Sequence, residues 1–399
     1  MSERALEGIR VIEVTQWVAA PAAGALLADW GAEVIHIEHP VRGDSMRGLS
    51  NVGGMGVDWL FELDNRNKKS VTLDISKKEG QAVLYRLLER ADVFITSLRP
   101  SDLVRYNMEY PVLSKLNPRL IYASLTGYGR KGPQSEKRGY DITAFWAHSG
   151  FMASLREPDR APIFPRGGMG DHTTSIAMAC GIATALFARE RTGVGQEVDV
   201  SLYNTGVWVL SVDMSCALAT GEYPQLRKRS ETPAMTNVYQ TKDDKWIYFA
   251  HLQQDPYWSA FCRALGLEHI EKDEKYTSME GRMMNNDELF ALVEAAMSKR
   301  TMTEWKPILD SYGLIYALAQ DAADIAKDEQ AWVNDFFATA EHPTLGSVKL
   351  VANPIKLSKM PSSIRTTAPQ FSQHTEEALL EAGYSWDDIA RLKEQEVIA

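Results

Sequence analysis

The chain has 399 residues, 45% of them hydrophobic and 24% charged, with a formal net charge of −10. It is too long for one ordinary domain, has the make-up of a soluble globular protein, and is too acidic for general nucleic-acid binding, although a local basic site for an anion stays open. Its apolar runs break well short of the ~20 positions a membrane helix needs, and the N-terminal MSERALEG lacks an apolar signal core, so the cytoplasm is the expected compartment.

The chain opens as a β-α-β unit: strand Arg10 to Val14, an alanine-rich helix Pro21 to Trp30, and strand Val34 to Glu38. Strand Ser70 to Ile75 follows, then a helix with Val83, Leu84, Leu87 and Leu88 on one face, then strands Asp92 to Leu98 and Leu120 to Leu125. Such alternation predicts a parallel sheet covered by helices. The first turn, TQWVAAPAAG, has no G-x-G-x-x-G fingerprint, so Glu38 reads as an ordinary strand-end carboxylate rather than a ribose ligand.

Arg166-Gly167-Gly168-Met169-Gly170-Asp171 then leads into a helix of small residues, Thr173 to Arg189. Glycines allow positive φ and close approach of a ligand, and the first turn of a helix presents unpaired N–H groups that favour negative charge. Asp171 is therefore expected at the start of the helix, as its cap, with an ionised carboxylate within reach of a ligand.

A turn at Gly193 to Gln196 feeds strand Glu197 to Leu202, and helix Val207 to Thr220 leads to a polar segment, Tyr223 to Thr232, where a boundary falls. Beyond it come a hairpin (Asn237 to Gln240 and Lys245 to Ala250, joined by Lys242-Asp243-Asp244) and helices Asp255 to Leu265, Asn286 to Met297 and Thr303 to Asp310. A helix near Asp321 to Phe337 is expected to carry the chain back to strand Ser347 to Val351 and an amphipathic helix, Thr375 to Lys393. The predicted architecture is α/β: a Rossmann-like parallel-sheet large domain (1–222 plus 332–399) and a smaller α+β domain (223–331). Cys180, Cys216 and Cys262 are too few and too far apart for a disulfide framework or zinc knuckle, and read as reduced, buried thiols. The eight histidines show no ligand spacing, so no metal is expected.

Six segments, in order, carry a resemblance over nearly the whole chain. They are LEGIRVIEVTQWVAAPAAGALLADWGAEVIHIE at 6–38, NRNKKSVTLDI at 65–75, SLTGYGRKGP at 124–133, RGYDITAFWAHSG at 138–150, GGMGDHTTS at 167–175 and RTGVGQEVDVSL at 191–202. Together they resemble the family III CoA-transferases, a group of formyl-CoA, carnitine and phenyllactate CoA-transferases with α-methylacyl-CoA racemases as distant members. The resemblance implies that Asp171 is the nucleophile, forming a mixed anhydride and then an aspartyl-CoA thioester. It makes amides around Gly168 and Gly170 the donors to the tetrahedral oxyanions, with Tyr140 helping to position Asp171. The racemases carry a histidine where this chain has Tyr140; without it a two-base proton exchange loses a partner, so transferase is preferred and racemase or epimerase is the alternative.

For the CoA moiety, the resemblance implies Lys68 and Lys69 at the adenosine phosphates, Arg105, Lys137 and Arg138 as further cations, and His39, Asn67 and Arg99 beside them. Val18 and Ala19 match the loop along the thiol arm. CoA thioester enters as substrate, with no permanently bound cofactor and no metal. Val18 stands where formyl-CoA transferases carry glutamine, and their glycine-rich flap is here Phe249 to Gln254, which points away from oxalate. The Asp171-His172 pair, the GYG-x-KGP run and Glu231-Thr232-Pro233 match the phenyllactate type. With Trp17, Trp59, Phe145 and Trp146 nearby, a larger apolar or aromatic acid is expected. The partners implied are an acyl-CoA, a carboxylic acid and a second chain, in an interlocked homodimer or a heteromer with a paralogous subunit; neither nucleic acid nor membrane is expected.

Overall fold

The computed structural model describes residues 4–49, 57–223 and 225–399; the first three residues of the N-terminal segment and Pro224 of the boundary segment lie outside these. The chain divides into two compact units, one of Met1–Ala153, Phe164–Gly221 and Trp332–Ala399, the other of Ser154–Ile163 and Glu222–Ala331.

In the larger unit, short runs rich in β-branched residues form six strands: β1 (Arg10–Val14), β2 (Glu33–Glu38), β3 (Lys68–Thr72), β4 (Val93–Thr96), β5 (Ile121–Thr126) and β6 (Glu197–Ser201). All pair in parallel, in the order β3-β2-β1-β4-β5-β6. This is the doubly wound Rossmann order, in which ligands bind beyond the carboxyl ends of the strands where the order reverses, here between β1 and β4. Helices α1 (Ala19–Asp29), α2 (Trp59–Asn65), α3 (Lys78–Leu88), α4 (Pro100–Arg105), α5 (Tyr110–Leu116), α6 (Met169–Thr192), α7 (Leu202–Val209) and α8 (Ser211–Thr220) complete this part. Val11, Val34, Val93 and Ala123 on one face of the sheet pack with Ala23 and Leu27 of α1 and Met178 and Ile182 of α6. Ile12, Ile35, Phe94 and Tyr122 on the other face pack with Val83, Leu84 and Leu87 of α3.

The α1 side of the sheet also buries charge. Cross-strand register places Glu13 beside His36 and His36 beside Ser70, with Lys68 two residues earlier on β3. Lys68 Nζ is 2.6 Å from Glu13 Oε1 and donates to Pro21 O and Asn65 Oδ1 at 2.8 and 3.0 Å. His36 bridges Glu13 at 2.7 Å and Asp44 at 3.2 Å. Gly24 makes room for this cluster, since a Cβ there would lie 2.1 Å from Glu13 Oε2.

The smaller unit is built on an antiparallel sheet, β7 (Val238–Gln240), β8 (Trp246–Phe249) and β9 (Tyr316–Leu318). Helices α9 (Trp258–Leu265), α10 (Asn286–Met297) and α11 (Met302–Ser311) enclose a core of Tyr239, Phe249, Phe261, Phe290 and Trp305. The chain then returns to the larger unit through the antiparallel pair β10 (Phe337–His342) and β11 (Gly346–Val351), and ends in α12 (Thr375–Glu381) and α13 (Trp386–Glu394). No helix among the described residues is long and apolar enough to cross a membrane.

Several expectations need correction. The single helix expected near Asp321 to Phe337 is two short helices, Ala322–Ile325 and Glu329–Val333, followed by β10. The Asp328 side chain accepts the Gln330 amide, so the chain restarts rather than continues. The final helix breaks at Gly383 (φ +90°), where Ser385 caps α13. The helix expected at Val207 to Thr220 is α7 and α8, interrupted at Leu210. Of the cysteines only Cys262 is buried; Cys180 and Cys216 are exposed on α6 and α8.

Candidate active site

The glycine-rich approach hands the cap of α6 to Gly168, whose φ of +93° suits a residue without Cβ. Met169 is the first helical residue, so Asp171 lies within the first turn and is not the cap, contrary to the sequence expectation. The amides of Gly168 and Gly170 do not stand open. Both donate at 2.8 Å to the carboxylate of Asp141, which opens a π-helical turn, Asp141–Ala147, immediately after Tyr140. The oxyanion role expected of Gly168 and Gly170 is thus corrected: their amides hold Asp141, and Asp141 fixes the start of α6. A Cβ on Gly170 would lie 2.4 Å from Asp141 Oδ1 and 2.2 Å from the Phe145 ring. Gly170→Ala is expected to destabilise the fold by about 2–4 kcal/mol through overpacking against Phe145 and displacement of Asp141 from the Gly168 and Gly170 amides, measured by thermal unfolding.

Burial, first, and then the neighbouring Asp141 carboxylate push the Asp171 carboxyl up to about 7; His172 pulls it down and Asp64 adds to the rise. The carboxylate expected to be fully ionised is instead poised near neutrality. His172 Nε2 lies 3.0 Å from Asp64 Oδ1 on α2, and the Asp64 side chain is 2% exposed. Burial disfavours the charged imidazole, but Asp64 and then Asp171 outweigh it and raise the His172 pKa. The carboxyl groups of Asp141 and Asp64 and the His172 imidazole therefore surround the Asp171 carboxyl.

Tyr140 is half exposed and meets Trp17 edge to face at 5.6 Å. Trp17 holds a left-handed backbone (φ +71°) in the loop between β1 and α1, a conformation that costs a bulky residue roughly 1–3 kcal/mol. Val18 and Ala19, which follow it, are buried at the start of α1.

A cleft of about 220 Å³ opens beyond the carboxyl ends of the strands, lined among others by Gln16, His39, Arg42, Ser76, Ser97 and Tyr106. His39 Nδ1 accepts the Val41 and Arg42 amides. Arg105 lies over the Tyr106 ring and donates to its hydroxyl at 2.6 Å. Arg99 precedes α4 and pairs with Asp102 at 2.9 Å. Glu136 accepts from the Ser101 amide and hydroxyl of α4, and Lys137 and Arg138, which follow it, are exposed. Of these residues His39 and Arg42 line the cleft itself, and Lys137 Nζ lies 5.0 Å from the Tyr128 ring.

The N-R-N-K-K segment is placed otherwise. Lys68 is enclosed with Glu13, and burial lowers its pKa. Lys69 is held by Glu33 at 2.9 Å and Glu377 at 2.7 Å. Asn67 ties Asp29 to the 363–366 segment, accepting the Arg365 and Thr366 amides. Lys68 is thus enclosed in the core, which corrects its expected place at the phosphates, while Lys69 and Asn67 are engaged by neighbouring protein groups. Sequence reasoning gave no site role to Asp141, Asp64 or Arg42, and named His172 only as part of the Asp171-His172 match; Asp141 is the acid of the R-G-Y-D motif and was legible there.

The family model for CoA-transferase family III matches residues 6–375. The chain is 34% identical to the (R)-2-hydroxy-4-methylpentanoate CoA-transferase of Clostridioides difficile, covering 98% of this chain and 99% of that one. It is 33% identical to the cinnamoyl-CoA:phenyllactate CoA-transferase of Clostridium sporogenes, covering 98% and 96%. Among solved structures, a CAIB/BAIF family protein from Brucella suis superposes with a TM-score of 0.83 at 27% identity, covering 95% of this chain and all of that one. The chain is an enzyme and belongs to CoA-transferase family III.

Proposed function

We propose that this enzyme moves CoA from an acyl-CoA to a carboxylic acid through Asp171. The Asp171 carboxylate attacks the thioester carbonyl, the C–S bond breaks, and CoA leaves as thiolate with a mixed anhydride formed. The thiolate then attacks the aspartyl carbonyl, releasing the donor acid as carboxylate and leaving an aspartyl-CoA thioester. The acceptor carboxylate repeats the two steps in reverse order, so no proton is gained or lost overall. Splitting the exchange through a covalent intermediate replaces one difficult displacement by easier ones. The observation that carries this reading is the place of Asp171 in the first turn of α6 beside His172, where burial and then Asp141 push its carboxyl up to about 7. A carboxylate of that basicity is a better nucleophile than an ordinary surface one, and it is half ionised at neutral pH.

The nucleotide end of CoA is assigned to the cleft beyond β1–β4, with Arg42 in its wall and Arg99, Arg105, Lys137 and Arg138 as further cations for its phosphates, and His39, whose charge burial and Arg42 disfavour, as a neutral hydrogen-bonding group. Val18 and Ala19 are assigned to the thiol arm. Tyr140, against Trp17, is assigned to the mouth of the site. The acceptor is an apolar or aromatic acid, in keeping with relatives named for 2-hydroxy-4-methylpentanoate and phenyllactate. A second copy of the chain covers the exposed apolar side chains of α6–α8, among them Phe187, Trp208, Val212 and Leu218.

The test is mass spectrometry of the intact protein and its peptides after incubation with acetyl-, succinyl- and cinnamoyl-type thioesters. A CoA-sized adduct is expected on the Asp171 peptide, cleaved by hydroxylamine and missing in Asp171→Ala. No adduct with any donor, together with Asp171-dependent exchange of an α-proton in deuterated water, would replace this reading by the racemase one.

A further inference from the structure

The same helix that carries Asp171 lines a second cavity, of about 290 Å³. Its walls are largely apolar, with Ala22 and Leu26 from α1 and Ile176 from α6; Asp64, His172, Ser175 and Arg66, the last paired with Asp29, give it a polar edge. Asp171 and Ser175 are four residues apart on α6 and so share a helix face. The charges of His172 and Asp64 both reach the Asp171 carboxyl. The cavity therefore adjoins the reacting group while remaining apart from the cleft beyond the strands.

Asp64 is the informative residue. Its Oδ1 pairs with His172, whereas its Oδ2, fully buried, has no hydrogen-bond partner among the described residues. A buried carboxylate oxygen lacking a donor costs free energy until one reaches it. Resting on the reading of Asp171 as the centre of CoA transfer, we propose that this cavity takes the side chain of the exchanging acid, and that Asp64 Oδ2 accepts a hydrogen bond from a hydroxyl on the carbon next to the carboxyl. The preferred substrates are then apolar 2-hydroxy acids.

The charges agree with this assignment. An incoming carboxylate must approach Asp171, and His172, 3.0 Å from Asp64, which favours its charged form, lies beside them to offset their repulsion. The neighbouring position at Asp64 tolerates a hydroxyl donor but repels a second carboxylate, which disfavours short dicarboxylic acids such as oxalate. The apolar walls favour a branched or aromatic side chain over a polar one.

The experiment compares kcat/KM, with one donor thioester, for 2-hydroxy-4-methylpentanoate against 4-methylpentanoate and for phenyllactate against 3-phenylpropanoate. The wild-type enzyme is expected to prefer each hydroxy acid by about 100-fold or more, because its deoxy partner leaves a buried acceptor unpaired. In Asp64→Leu both rates fall, and the preference is expected to collapse to within about threefold, since the acceptor is gone. A wild-type ratio near one overturns the proposal whether or not the variant folds, and so does a preference that survives in a folded Asp64→Leu enzyme. Absence of a CoA adduct on Asp171 with any donor defeats the underlying reading instead, which separates the two failures.

Discussion

Replacing Asp171 with asparagine is expected to lower CoA transfer by about 10⁴-fold or more and, in the same protein, to raise thermal stability. The loss of rate follows because asparagine keeps the shape but cannot form the anhydride. The gain in stability follows from the carboxyl's own titration. Its folded-state pKa is about 7 against a reference of 3.8, so the folded protein disfavours the ionised form. The cost is absent below pH 3.8, grows between 3.8 and 7, and is complete above 7. Asp171 is partly exposed, and solvent takes back part of this cost, so the variant is expected to gain about 2 kcal/mol at pH 8 and much less at pH 5. Thermal unfolding at the two pH values checks the stability arm, and a thioester-exchange assay the catalytic one. The wild-type kcat/KM is expected to rise with pH through a midpoint near 7, as the free enzyme's nucleophile ionises. A variant that keeps more than a tenth of the activity would dismiss Asp171 as the nucleophile.

The six parallel strands were legible because each is a short apolar run between turn residues, and their alternation with helices implied the sheet. Register was not legible, and register decides where the charges go. Lys68 and Lys69 look alike in the sequence, yet successive residues of a strand face opposite ways, so one enters the core beside Glu13 while the other meets Glu33 and Glu377 at the surface. The N-R-N-K-K run therefore suggests a basic turn, whereas it joins the end of α2 to β3 and its two lysines are the first residues of that strand. At Asp171 the residue was legible and its electrostatics were not. Its elevated pKa comes first from burial, then from Asp141, thirty positions earlier, and from Asp64 on α2, all of which only the fold supplies. The glycines showed where the chain turns, but their amides are taken by Asp141, whose place beside them depends on the π-helical turn after Tyr140.

The buried cluster on the α1 side of the sheet supplies the largest expected effect on stability. Lys68→Met removes the cation that Glu13 faces, leaving a carboxylate in the core with only His36 as a charged partner. Breaking a buried pair from one side costs about 3–5 kcal/mol, which for a unit of this size lowers Tm by roughly 10 °C. Changing Glu13 to glutamine as well removes the stranded charge, so the double variant is expected to be more stable than Lys68→Met alone. His36 makes the same cluster sensitive to pH. Burial opposes its charge, but Asp44 and Glu13 outweigh burial and raise its pKa from 6.5 to about 9. The stability it contributes is fully present below pH 6.5 and is lost as pH rises towards 9, a change of about 3 kcal/mol. Lys68 works in the opposite direction, because burial lowers its pKa and the cost of its charge fades as pH rises. Comparing wild type with His36→Gln at each pH cancels the lysine contribution. The stability difference between the two is expected to be large at pH 6 and to shrink steadily towards pH 9; a difference independent of pH would mean that His36 is neutral between its two carboxylates.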